Sequence, residues 1–311
     1  MKLYLKWFYW YKNFGDETIL FGLLNYLQQE YNPESFVVEV WDIVRIQSRI
    51  SQNKKHLDKW ILDKLDFVEN SIMSKRFRQL QIFLGLDKYR KFFKVFGGWE
   101  VMDESRKFPH DGRNLRILYH NDIRKRNFIL IGGIGTDEKK LTKKIFKYIL
   151  QKAKKIICRE EVSYQRSQKY WAKSSLLYHD FSKNILLSTA ESNNETIVSK
   201  EKNILINVSP KHFNPENLEK IEKFLLKYPE HKKIFFPADV NFDKDYYTEI
   251  RKILPELEIY DWTKHPLSDT ISLFQSCDAW IGSRLHFLYP LKLFNKDFVS
   301  ISKSDKIMKM L

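Results

Sequence analysis

The sequence predicts an α/β protein of two parallel-sheet domains facing each other across a cleft, on three observations. Short apolar runs alternate with amphipathic helical stretches through residues 1–187, and a second alternation occupies residues 204–311. A polar stretch without clear periodicity, Ser188 to Asn203, lies between them and reads as a linker. The apolar runs end in Gly, Arg, Ser or Asp, the polar ends that line the ligand crevice of an open parallel sheet.

At 311 residues the chain is long enough for two separate cores. Hydrophobic residues at 43% against 30% charged place it among folded rather than disordered chains. Its two cysteines, Cys158 and Cys277, each sit in an apolar run. That suits buried free thiols in a reducing compartment and argues against a disulfide scaffold or a cysteine metal site. No uninterrupted apolar stretch reaches the roughly 18 residues of a spanning helix. The opening Met1 to Trp10 is apolar but carries Lys2 and Lys6 and lacks a small-residue cleavage site, so a first strand is expected rather than a signal peptide. A cytoplasmic location is the expectation. The net charge of +15 favours an anionic partner: a phosphorylated substrate, an anionic lipid surface or nucleic acid. Nucleic acid is the least expected of these, because the basic residues are spread over many helices and no recognised binding motif occurs.

In chain order, Leu3 to Tyr11 reads as a strand, Asp16 to Glu30 as a helix with Ile19, Leu20, Leu23, Leu24 and Leu27 on one face, and Phe36 to Val40 as a strand. These form a βαβ unit. His56 to Leu86 reads as mostly helical, the core of a basic insertion over about 56–94. There Lys75, Arg76, Arg78, Arg90 and Lys91 interleave with Phe77, Leu80, Phe83 and Phe92. Such interleaving suits peripheral contact with an anionic membrane at its inner face; a core-facing helix with a solvated basic face fits equally well. Strands then lead into Gly97-Gly98 and Gly132-Gly133, and a helix is expected from Glu138 to Lys152. Neither glycine pair matches a P-loop or a full dinucleotide fingerprint. Ile156 to Cys158 is a strand ending at Arg159, followed by a helix to Trp171 that contains Ser163, and then by a strand from Leu176 to Tyr178.

The second series predicts strands at Ile204–Val208, Lys232–Phe236, Glu258–Tyr260, Asp278–Ile281 and Phe298–Ile301, with helices over Pro215–Lys227, Tyr246–Leu254 and Leu267–Gln275 and another from Arg284. Its Gly282-Ser283-Arg284-Leu285-His286 turn is the most telling stretch of the chain. It sets a guanidinium and an imidazole two residues apart at a helix N-terminus, where free N–H groups and the helix dipole favour an anion. Arg offers a fork for carboxylate or phosphate oxygens, and His exchanges a proton near neutral pH. A surface ion pair for Arg284 and a structural role for His286 are the plainer alternatives.

Five segments in order resemble the polysaccharide pyruvyl transferase family: Asn13-Phe14-Gly15-Asp16-Glu17, Phe96-Gly97-Gly98, Cys158-Arg159-Glu160-Glu161-Val162-Ser163, Gly282-Ser283-Arg284-Leu285-His286 and Ser302-Lys303-Ser304-Asp305-Lys306. The resemblance implies two Rossmann-like domains of GT-B type. It also implies transfer of pyruvate from phosphoenolpyruvate to a hexose of a cell-surface or lipid-linked polysaccharide. The implied partners are phosphoenolpyruvate and a glycan acceptor, with no cofactor and no metal. Making the ketal needs a proton for the methylene carbon, cations for a small and highly charged donor, and a base for a sugar hydroxyl. His286 is the expected acid and phosphate contact, with Arg284 and Arg159 as clamps. Asp16 is the expected base or orienter, although a helix N-cap beside Gly15 explains it equally well. Asn13, Gly15, Gly97, Gly98, Gly132, Gly133, Ser163, Ser283 and Lys306 complete the expected substrate-binding set.

Two rivals remain open from sequence. One is a GT-B glycosyltransferase using a nucleotide sugar, disfavoured by the lack of an obvious carboxylate near Arg284 to grip a ribose. The other is a basic, non-catalytic membrane-surface protein.

Overall fold

The computed structural model describes residues 1–9, 12–69, 88–89, 91–102, 127–135, 140–170, 172, 174–193 and 201–302. The chain forms two compact units. The first comprises Met1–Tyr9, Leu23–Ile46 and Leu57–Phe181; the second comprises Trp10–Gly22, Gln47–His56 and Ser182–Leu311.

The first unit is built on strands β1 (Lys2–Tyr9), β2 (Ser35–Val40), β3 (Leu65–Glu69), β4 (Phe93–Met102), β5 (Phe128–Ile134), β6 (Lys155–Cys158) and β7 (Ser175–Leu177), in the parallel order β3-β2-β1-β4-β5-β6-β7. Every residue of β5 is buried, as expected of a central parallel strand covered on both faces. Helix α4 (Lys140–Lys152) packs Phe146, Ile149 and Leu150 into a cluster with Phe96, Phe128, Leu130 and Ile156. A second buried cluster holds Tyr4, Val37 and Tyr89. In it the Lys94 ammonium donates to the Tyr89 carbonyl and lies 4.7 Å from the centre of the Tyr4 ring.

Helix α1 (Phe14–Tyr31) begins in the second unit and ends in the first. The other helices of the chain's N-terminal part are α2 (Ile43–Gln52) and α3 (Lys59–Lys64). The mostly helical reading of 56–86 is corrected at its start, where α3 runs straight into strand β3. Leu65 and Phe67 face inward only partly and Asp66 and Glu69 are exposed, as befits an edge strand. Phe93 and Lys94 likewise belong to β4 rather than to a helical insertion. Arg76, Arg78 and Arg90, on which the membrane expectation rests, lie outside the described residues, as does Lys306.

The second unit has strands β8 (Asn203–Asn207), β9 (Lys232–Phe235), β10 (Glu258–Ile259), β11 (Ala279–Gly282) and β12 (Val299–Ser300), in the parallel order β10-β9-β8-β11-β12. Its helices are α6 (Ser182–Asn193), α7 (Pro215–Leu225), α8 (Val240–Ile253), α9 (Leu267–Ser276) and α10 (Leu285–Leu293), with α5 (Glu161–Lys169) belonging to the first unit. Residues 188–193 are therefore not linker but the last turns of α6. They are polar, yet Thr189, Ala190 and Asn193 are buried. Thr189 Oγ1 donates to the Ile185 carbonyl at 2.6 Å, and Asn193 Nδ2 donates to the Ser268 carbonyl at 2.8 Å. The polar groups are satisfied inside the fold, which is what lets them be buried.

The start of α1 is built into this unit. Phe14 packs its ring 5.4 Å from Phe236, 5.6 Å from Trp262 and 6.0 Å from Phe274. Arg49 of α2 pairs with Glu17 at 2.7 Å, both nearly inaccessible, and its Nη1 donates to the carbonyls of Thr263 and His265 at 3.2 and 2.6 Å. The planar fork serves the carboxylate and the carbonyls together, which an ammonium cannot do. Arg49→Lys is expected to lower unfolding free energy by about 1–3 kcal/mol in urea titration.

His56 Nδ1 lies 3.2 Å from Thr189 Oγ1, and burial, with Lys55 adding to it, pushes the imidazole down to about 4 from 6.5. A depressed folded-state value means that the stabilisation is fully present above about pH 6.5 and is lost as pH falls toward 4. With solvent screening allowed for, about 2 kcal/mol of acid-linked stability is expected to vanish in His56→Gln, read as a flatter melting temperature against pH.

Candidate functional site

In the five-stranded sheet the order reverses between β8 and β11, and a crevice at the carboxyl ends of those strands is where ligands of open α/β sheets bind. Asn207 ends β8, Gly282 ends β11 and Ser283-Arg284 follows, so the anion-binding turn expected from sequence stands at that switch point. Gly282 is required there: a Cβ on it would fall 2.5 Å from Phe287 Cδ1. Arg284 is the N-cap of α10 and makes no side-chain cap bond, leaving that helix end open. Its backbone N–H donates to Asn207 Oδ1 at 3.1 Å, and Ser283 Oγ accepts from Ser209 N at 2.8 Å. Ser283 is thereby a brace for the turn.

The Arg284 guanidinium is held by Asp243 of α8. Nη2 donates to Oδ1 at 2.5 Å, and Nε donates to Oδ1 at 3.1 Å and Oδ2 at 3.3 Å. Asp243 is fully buried and also accepts from the backbone N–H of Asp239 at 3.0 Å. Burial raises the Asp243 carboxyl above its ordinary value, against the pull of Arg284. Asp239 is raised by burial too, and among the described residues its Oδ1 has no hydrogen-bond partner. Arg284 presents its remaining edge outward: its side chain is 30% exposed, and among the described residues Nη1 donates to nothing.

The β1–α1 connection closes on the same unit. Lys12 adopts a left-handed backbone, φ 46°, and its carbonyl accepts from Val240 N at 2.9 Å. Asn13 pairs as an isolated bridge with Asp239, to which its Nδ2 also donates at 3.2 Å. Its Oδ1 accepts from Gly15 N at 3.0 Å and Asp16 N at 3.3 Å. Asn13 is thus the residue that caps α1, and the capping alternative for Asp16 is corrected: Asp16 lies buried in the first turn, where a carboxylate is favoured by the helix dipole. Both ends of the Asn13 amide are already engaged within the protein. Gly15 has a packing reason, since a Cβ there would overlap Nδ1 and Cγ of His286. The imidazole sits directly on the glycine backbone, two residues beyond Arg284.

The other expected residues belong to the first unit. Arg159 ends β6, is buried, and has Nη1 3.9 Å from Asp180 Oδ2; among the described residues its Nε and Nη2 have no hydrogen-bond partner. Gly132 has φ 134°, open only to glycine, at the end of β5. Gly97 is a buried strand position and Gly133 pairs with Glu100. Gly98 lies in β4. Ser163 is fully buried, its Oγ accepting from Ile134 N and donating to Glu160 Oε1, both at 2.8 Å. It fastens the head of α5 to the end of β5.

Sequence reasoning missed Asp239, Asp243, Asn207, Ser209 and His212. The only local signal was that Asp239 and Ser209 each follow a strand within a few residues. The statement that no carboxylate stands near Arg284 is likewise corrected by Asp243. Among the described residues no group of three or more His, Cys, Asp or Glu side chains is arranged to hold a metal ion. None of their helices is long and apolar enough to cross a membrane.

Comparison with known proteins agrees with this architecture. The sequence profile of the family described as polysaccharide pyruvyl transferase matches residues 13–289. No curated protein matches the chain in sequence. Among solved structures, S. aureus MnaA, in a co-structure with UDP, superposes with a TM-score of 0.61 at 12% identity, over 96% of this chain and 78% of that one. The UDP-GlcNAc 2-epimerase of Neisseria meningitidis bound to UDP-GlcNAc gives 0.60 at 10% identity, over 99% and 84%. That of Rickettsia bellii gives 0.61 at 10% identity, over 97% and 78%. At such identities the likeness speaks for the fold alone, two Rossmann-like domains of GT-B type. The profile match spans most of the chain, from the Asn13 cap to the Arg284 and His286 turn, and on it the chain belongs to the polysaccharide pyruvyl transferase family.

Proposed function

We propose that the protein moves pyruvate from phosphoenolpyruvate to a hexose of a polysaccharide, closing a ketal across two hydroxyls and releasing phosphate. The observation that carries this reading is the pairing of a rigidly held Arg284 with His286 at the open head of α10. Arg284, fixed by Asp243, turns one guanidinium edge to the donor's anionic groups. His286 delivers a proton to the methylene carbon, which leaves the adjacent carbon open to attack by the first sugar hydroxyl. Phosphate departs from that carbon as the second hydroxyl closes the ring. Of the two hydroxyl protons, one balances the new methyl group and the other leaves with phosphate. Asp16, buried in the first turn of α1, takes the hydroxyl proton. The +15 charge supports work beside an anionic membrane carrying a lipid-linked acceptor at its inner, cytoplasmic face.

Phosphate release from phosphoenolpyruvate, with a panel of hexose-containing oligosaccharides as acceptors, tests the reading. Acceptor-dependent release is expected; release from none of them, with phosphoenolpyruvate leaving the melting temperature unmoved, contradicts it. A nucleotide-sugar transferase is the second reading, favoured by the buried carboxylates Asp239 and Asp243 beside Arg284. Structural neighbours holding UDP and UDP-GlcNAc share the fold. A thermal shift with UDP-GlcNAc and none with phosphoenolpyruvate would select it.

A further inference from the structure

Near Arg284 stands a second imidazole with no part in the steps above. His212 ends the turn Pro210–His212 that follows β8. Its Nδ1 lies 2.8 Å from Ser209 Oγ, and Ser209 N donates to Ser283 Oγ at 2.8 Å, so the turn is pinned to the residue before Arg284. The His212 carbonyl accepts from Asn217 Nδ2 at 3.0 Å, which fixes the backbone from the start of α7. With Ser209 as donor to Nδ1, the neutral ring carries its proton on Nε2. Among the described residues the half-buried ring makes no other side-chain hydrogen bond.

We propose that His212 is a further donor-binding residue, which hydrogen-bonds the phosphate group of phosphoenolpyruvate beside Arg284 and takes up a proton from solvent as that group binds. The inference rests on the phosphoenolpyruvate reading and extends it to a residue outside the expected set. Geometry supplies the argument: Asn207, Ser209, His212, Ser283 and Arg284 all gather where β8 and β11 end, at the reversal of strand order. A phosphate monoester carries about −1.5 to −2 charges at pH 7, more than one guanidinium edge can balance. Lys211 and a protonated His212 supply the remainder beside Arg284.

The charges around the ring set the direction of the linkage. Burial, then Lys211 on its own turn and Arg284 across from it, hold the imidazole below its ordinary value. From the head of α8, whose Tyr246 ring packs 5.0 Å from Phe213, come its N-cap Asp239 and Asp243, the latter engaged by Arg284. From α7 comes Glu216, paired with Lys220 at 2.7 Å. The ring is therefore neutral near pH 7 when no anion is bound. A dianion between the ring and Arg284 opposes both cations and draws a proton onto the imidazole. Binding then strengthens as pH falls through the bound-state value toward the lower free-state value, and weakens as pH rises through the bound-state value.

The test is calorimetric titration of phosphoenolpyruvate, and separately of inorganic phosphate, into wild type and His212→Gln, in two buffers of different ionisation enthalpy. At pH 7.0 wild type is expected to take up more protons per ligand than the variant, the subtraction cancelling the ligand's own titration. The variant's affinity is expected to fall about tenfold at pH 6.5, the gap closing toward pH 8.5. Ser209→Ala, which keeps the imidazole but frees it, should fall between the two. Equal proton uptake with parallel pH profiles in wild type and both variants overturns the role of His212 and leaves the donor reading intact. Inorganic phosphate binding with His212-dependent proton uptake, alongside no binding of phosphoenolpyruvate, overturns the donor reading and keeps the phosphate contact.

Discussion

His286→Ala is expected to lower the turnover number for phosphate release by about 10²–10⁴-fold, the usual contribution of a positioned general acid. The melting temperature should stay close to that of wild type. The ring rests on Gly15 rather than in an apolar core, so its removal opens space at the site without emptying the packing of β8, β9 and β11. Gly15→Ala separates geometry from chemistry. Its methyl group would occupy the place of Nδ1 and Cγ, so the imidazole must swing away while remaining chemically intact. A displacement of about 1 Å can cost on the order of 10²-fold in rate, and a loss of that order is expected from Gly15→Ala. Turnover within a few-fold of wild type in both variants would remove His286 from the chemistry.

The second large effect is on stability and binding together. Asp243→Ala is expected to cost about 3–5 kcal/mol of unfolding free energy, the range found when one partner of a buried ion pair is removed. Asp243 accepts from Arg284 through both Nε and Nη2, from Asp239 N and, at 3.4 Å, from Asn207 Nδ2. All of these lose their acceptor at once. Asp243→Asn keeps the shape but not the charge, and should lose less stability while still loosening the guanidinium. In a coupled assay the milder variant should raise KM for phosphoenolpyruvate more than it lowers kcat, because Arg284 still reaches the donor but is no longer fixed. An unchanged KM would mean that the orientation of Arg284 does not matter for the donor.

The parts of this fold that were readable from sequence are those with local causes. The all-apolar Ile204-Leu205-Ile206 and Ala279-Trp280-Ile281 runs announce central parallel strands, and the structure buries every one of these residues. Arg284 and His286 follow from the break at Gly282, since a strand ending in a helix start is a local pattern. Asp243 has no such signature. It lies within Val240-Asn241-Phe242-Asp243-Lys244-Asp245, a stretch that reads as the polar face of a helix, and only the packing of α8 against the end of β11 makes it a buried anchor. β3 escaped for a similar reason: it follows α3 with no glycine or proline between them, and its half-exposed pattern mimics a helical face. The burial of Thr189 and Asn193 depends on carbonyls, one of them as distant in sequence as that of Ser268, which composition cannot reveal. The structural bonds of Ser163, to Ile134 N and to Glu160 Oε1, have no local signature either, because a hydroxyl near a strand end serves the fold as readily as a ligand.

The most direct test of the central claim is calorimetric titration of phosphoenolpyruvate into wild type and Arg284→Gln at pH 7.0 and low salt. Arg284 is the cation that Asp243 fixes at the open head of α10, so wild type should bind phosphoenolpyruvate. The variant should lose at least tenfold in affinity, as expected when a charge-assisted hydrogen bond to an anion is removed. Equal affinities in the two proteins, or a wild type that binds UDP-GlcNAc and not phosphoenolpyruvate, would contradict it.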